Sequence, residues 1–157
     1  MASTESCREF LRSLPLRSDA LPLEPRLDCI RAIYQVFADI VATLRPEVEF
    51  GVGWTSWDHI CWNFRLAMDH RMKRPKGNYY ELLQPNDRTL SDCTLEAILR
   101  VLALGEIRCE NGALHGLGHL NHPCGRAVVQ QYIDDRRATV TSDRLPWLEA
   151  SRDGTMM

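Results

Sequence analysis

Three histidines, His115, His119 and His122, fall within the stretch CENGALHGLGHLNHPCGRAVVQQYID that runs from Cys109 to Asp134. His115 and His119 are four residues apart, so on one helix their rings project from the same side and could share a zinc or iron ion. A helical zinc protease needs a glutamate directly after the first histidine to serve as general base. Gly116 stands there, and that chemistry fails. Pro123 takes His122 off the shared face, because the residue before proline is pushed out of the helical region. His122 therefore reads as a turn residue opening the next helix. A third metal ligand would have to come from Cys109, Glu110, Cys124, His59 or His70. The structural alternative packs the two rings in a helix interface, with Asp58, Asp69 or Glu110 as partners. A buried ring nitrogen left unpaired costs on the order of 1–3 kcal/mol. Packing is the preferred reading, with no cofactor and no catalytic residue; zinc or iron on His115 and His119 is the alternative.

The second dense stretch is Trp54-Thr55-Ser56-Trp57-Asp58-His59-Ile60-Cys61-Trp62. Helical periodicity turns Trp57 to the core and leaves Trp62 on another side. If the helix carrying them neighbours the one at Cys109, then His59, Trp62, His70, His115 and His119 line one concave candidate binding surface. Other chemistries find little support. No nucleophile elbow surrounds any serine, and Gly51-Val52-Gly53 lacks the third glycine and preceding strand of a phosphate loop. Asp134-Asp135-Arg136-Arg137 has the look of a solvated helix end.

The elements that must position these residues are helical. Leu27, Ile30, Tyr34, Phe37, Val41 and Leu44 recur at three- and four-residue steps, which predicts a helix from Pro25 to Leu44. Ile33, Val36 and Ile40 widen its apolar stripe. Thr55 or Ser56 opens a helix to about Met72. Tyr79 to Leu83 makes a short helical turn ended by Gln84-Pro85. Ser91 or Asp92 then caps a helix to Leu104, with Leu95, Ile98, Leu99 and Leu102 inward and Gly105 as its stop. Residues 3–14 form a short helix, and Glu47 to Trp54 is a loop. Alternating β-branched runs are nearly absent, so the fold class is all-α, a compact multi-helix bundle.

The 157 residues suit one domain, 1–157. With 45% apolar and 25% charged residues the chain has an ordinary globular composition. A net charge of −2 gives no footprint for nucleic acid. No run approaches the ~18 apolar residues of a membrane span, and Met1 to Leu14 contains no signal-peptide core, so a cytoplasmic protein is expected. The six cysteines form no C-x-x-C pair and read as small buried apolar residues. Leu145-Pro146-Trp147-Leu148 is a small apolar cluster able to dock on the bundle or on a second subunit, and a mobile tail is expected from about residue 149.

From Cys109 onward the pattern resembles the short HEAT-like repeats of the phycobilisome-lyase type. Ala113 takes the small inward position, Gly116-Leu117-Gly118 the small-Leu-Gly run, and His122-Pro123 the turn. Ala127, Val128, Tyr132 and Ile133 supply the second helix's apolar face. The helix ending at Leu104 resembles the second helix of a preceding repeat. The family usually has a basic residue where Glu110 stands and rarely has histidines at 115 and 119. Glycine inside a helix costs about 0.5–1 kcal/mol relative to alanine, a cost that close helix approach would offset. The resemblance implies HEAT-like hairpin packing in the C-terminal half and a scaffolding or protein-binding role. The expected function is a non-enzymatic interaction module whose partner is another protein or a second copy of the chain.

Overall fold

The computed structural model describes residues 22–43 and 79–155. Within them every regular element is helical, and the helices pack against one another. The residue 3–14 helix, the Glu47–Trp54 loop and the helix expected from Thr55 to Met72 lie outside the described residues.

Helix α1 (Leu23–Val36) starts two residues before the expected Pro25, after an extended Pro22. Pro25 is still tolerated, because the first-turn N–H groups of a helix have no intrahelical acceptor. Its last turn widens into a π-helical segment, Phe37–Val41, closed by the Ala42 N–H donating to the Phe37 carbonyl at 2.9 Å. Leu27, Ile30, Phe37 and Val41 are buried as the periodicity predicts. Ile40 does not widen the stripe: the wider turn brings Phe37 and Val41 inward together and leaves Ile40 53% exposed between them.

A 3-10 turn, Tyr79–Leu82, precedes helix α2 (Pro85–Leu102). The expected start at Ser91 or Asp92 is corrected by a full turn and more. Pro85 ends the 3-10 turn and also opens the helix, since proline at the first position loses no needed donor and brings a preset φ. Ser91 lies inside, buried. The inward stripe is Leu90, Cys93, Thr94, Ala97, Ile98 and Val101. Leu99, expected inward, is exposed, and Leu95 and Leu102 are half-buried. α2 is sandwiched between α1 and α3, and its small residues Cys93 and Ala97 join Leu27, Ile30 and Leu90 in a core cluster, so the seam follows them and not the leucines.

Gly105, at φ +69°, turns the chain as expected. Helix α3 (Ile107–Leu120) follows, N-capped by the Glu106 carboxylate, which accepts from the Arg108 and Cys109 N–H groups at 2.8 and 3.2 Å. Every residue from Gly112 to Leu120 is buried. A helix covered on all sides belongs at the centre of its domain, and α3 packs on α2, on α4 (Pro123–Asp135) and on α5 (Leu145–Asp153). Between α3 and α4, Asn121 takes the left-handed conformation at φ 50°, its N–H reaching the Leu117 carbonyl at 3.3 Å. Asparagine is among the few residues that enter this region readily.

The segment from about 149, expected as a mobile tail, is helical as far as Asp153. Leu148 is fully buried, and the Ser151 hydroxyl donates to the Leu114 carbonyl. Helix α5 thus docks on α3 and α4, as one of the two placements expected for the Leu145–Leu148 cluster. It ends only at Gly154, φ +66°. Among the described residues no helix is long and apolar enough to cross a membrane.

Candidate functional site

The α3–α4 hairpin gathers most of the candidate chemistry. His115 and His119 project from one side of α3, as their spacing predicts, and their rings meet edge to face with centroids 4.4 Å apart. They are 6% and 8% exposed, so neither ring faces an opening. His59, Trp62 and His70, the other members of the expected concave surface, lie outside the described residues. Among the described residues no three His, Cys, Asp or Glu side chains are grouped to hold a metal ion.

Glu110, considered above as a partner or ligand for the histidines, is engaged elsewhere. Its buried carboxylate accepts from the Tyr132 hydroxyl at 2.8 Å and pairs with Arg136. The Arg136 guanidinium lies over the Tyr132 ring, 4.1 Å from its centroid. Arg144 extends the cluster, donating to the Asn111 side chain at 2.6 Å and reaching the Tyr132 hydroxyl at 3.4 Å. Burial, followed by the bond to the Glu110 carboxylate, raises the Tyr132 pKa above the ordinary tyrosine value, because both disfavour the phenolate. With each carboxylate oxygen occupied by an internal donor, Glu110 is a structural anion.

A signal for this cluster is present in the sequence. Tyr132 and Arg136 are four residues apart, on one face of α4 and its C-terminal extension. Equal steps back and forward from the Asn121–His122 turn bring Glu110 opposite them, if the two helices are antiparallel. Glu110 shares α3 with His115 and His119, but its partners Tyr132 and Arg136 belong to the next helix and its extension.

His122 holds the place expected of it. It is the N-cap of α4, its Nδ1 accepting from the Cys124 N–H at 3.1 Å. That contact puts the proton on Nε2, which faces Asp92 Oδ1 on α2 at 3.1 Å. The Tyr80 hydroxyl donates to the same oxygen at 2.7 Å, and its ring meets the His122 ring edge-on. The Asp92 bond, more than burial, raises the Tyr80 pKa. Both nitrogens of His122 are thus committed, which ties the hairpin turn to α2 and leaves no ring nitrogen to relay a proton.

The cysteines divide. Cys93 and Cys109 are buried, their thiols directed at the Leu27 and Phe37 carbonyls at 3.9 Å. Cys29 is half-buried, and Cys124 is exposed, against the expectation of burial, because it sits on the solvent side of the first turn of α4.

Beside the Glu110 cluster lies a groove of about 440 Å³. Leu102 of α2 forms one wall, Ala127 and Val128 of α4 the other, and Tyr132 and Arg136 line its polar end. Its size lies in the lower part of the range for small-ligand pockets. Glu110, Gln131 and Asp135 complete its lining. Comparison with known proteins finds no matching family model, curated protein or solved structure.

Proposed function

We propose that the chain is a helical protein-interaction module without chemistry of its own, using the groove between α2 and α4 as its contact surface. One observation carries this reading: the histidines and the buried glutamate of the hairpin are spent on packing. His115 and His119 are buried ring against ring, Glu110 is filled by Tyr132 and Arg136, and His122 has both nitrogens engaged. What the hairpin offers to solvent is shape, an apolar groove bordered by the Arg136 guanidinium, which the buried Tyr132 ring holds in place. Groups fixed before binding lose little side-chain freedom on association, which favours affinity. The HEAT-like hairpin packing, the scaffolding role and the cytoplasmic location expected from the sequence belong to this proposal, with a protein partner or a second copy of the chain as occupant.

The test is site-specific photo-crosslinking in cells expressing the full chain. A photoreactive residue at Gln131, exposed beside the groove, is expected to give a discrete adduct. The same residue at Glu24, exposed on α1, is expected to give none. An adduct of twice the chain's mass would identify a second copy as the occupant. Adducts at neither position, or equally at both, would refute the groove as the contact surface.

A further inference from the structure

The connection between α4 and α5 carries the run Arg136-Arg137-Ala138-Thr139-Val140. Two arginines three and two residues before a threonine, with an apolar residue directly after it, match what arginine-directed Ser/Thr protein kinases read. Carboxylates in the kinase's peptide groove pair with the guanidinium groups, and an apolar pocket takes the following side chain. The structure exposes the middle of this run and holds its two ends, Arg136 on Glu110 and Val140 against the core. Arg137, Ala138 and Thr139 are exposed, the Arg137 side chain to 83%. The Thr139 and Val140 N–H groups both donate to the Arg136 carbonyl, at 2.8 and 2.9 Å, and the Thr139 hydroxyl reaches the same oxygen at 3.1 Å. The turn's own bonds open locally at small cost; an extended peptide also needs Arg136 released from Glu110 and Val140 lifted from the core it packs against.

We propose that Thr139 is a phosphoacceptor for an arginine-directed protein kinase using magnesium-ATP. The Thr139 Oγ attacks the γ-phosphorus, and the bond from that phosphorus to the β–γ bridging oxygen breaks. ADP leaves, and the hydroxyl proton passes to the kinase's catalytic aspartate. The product carries a charge of about −1.5 to −2 and three strong acceptors. Placed there, the phosphate competes with Glu110 for Arg136 and with Asp134 for Arg137, which now stands 3.7 Å from Asp134. It also adds negative charge beside Asp134 and Asp135, at the negative end of α4.

The experiment incubates the folded full chain with magnesium-ATP and the catalytic subunit of cyclic-AMP-dependent protein kinase, with the phosphate placed by fragment-ion mass spectrometry. The expected result is close to one phosphate per chain on Thr139 and none at the loop in Thr139→Val. Arg137→Ala, which leaves the Glu110–Arg136 pair intact, should lower kcat/KM on the order of tenfold, the loss of one charge-assisted pair. No uptake by the folded chain would overturn the proposal. So would phosphate on Thr141 or Ser142 in place of Thr139, or unchanged kinetics in Arg137→Ala.

Discussion

The Glu110 carboxylate in the first turn of α3 and the Tyr132 hydroxyl near the end of α4 meet at 2.8 Å in the interior of the hairpin. Arg136 closes the other side of the same carboxylate. Removing one member of such a set strands the others, and that penalty exceeds the net worth of the bonds themselves. Arg136 is partly exposed, so water compensates it in part. Glu110→Ala is therefore expected to cost about 2–3 kcal/mol, read by urea unfolding. A cost below the error of the measurement would mean that the pair is not formed.

Tyr132 gives a pH signature. Its folded-state pKa is raised, first by burial and then by Glu110. The folded chain thus holds the phenolic proton more tightly than the unfolded chain does. The stability from this bond is present in full below the ordinary tyrosine value of about 10 and is lost as pH rises through the folded-state value. The stability difference between the native chain and Tyr132→Phe, about 1 kcal/mol, should hold from neutral pH to about 9 and shrink above about 10. A difference that grows in strong alkali would contradict the assignment.

Helix α5 is part of the core. Leu148→Ala opens a cavity where the side chain is fully buried and is expected to cost about 2–5 kcal/mol. Ser151→Ala removes the donor to the Leu114 carbonyl and is expected to cost about 1 kcal/mol. Thermal or urea unfolding of both variants measures this. If neither shifts, residues beyond 144 are dispensable, as a mobile tail would be.

The hairpin turn depends on Asn121. Its φ of 50° is reached readily by Gly and Asn and poorly by β-branched residues. Asn121→Gly should stay within about 0.5 kcal/mol of the native chain, whereas Asn121→Val should lose about 1–2 kcal/mol. Equal losses in the two would place the cost in the side chain's contacts and not in the backbone.

Local signals in the sequence locate the helix breaks well. Asn121-His122-Pro123 ends α3 and opens α4, Gly105 stops the chain after α2, and Tyr79 starts a helical turn. These depend on the dihedral limits of proline, glycine and asparagine, which act within a few residues. Facing is less legible. Leu99 and Ile40 fit helical stripes yet point outward, because the seam is set by what α2 and the π turn pack against. Glu110 is the same case: its partners are in the next helix, and no pattern within α3 reveals them. Composition does not reveal the last helix, since it is short and polar and is held by Leu148 and Ser151 alone among its fully buried positions.

The claim that His115 and His119 are packing residues meets its most direct test in elemental analysis of the chain purified without an affinity tag or chelator, beside the His115→Ala/His119→Ala variant. Packing predicts no metal at one equivalent per chain in either protein, with the double variant less stable by about 2–5 kcal/mol. One zinc or iron per chain, lost in the double variant, would contradict it and make the two rings ligands.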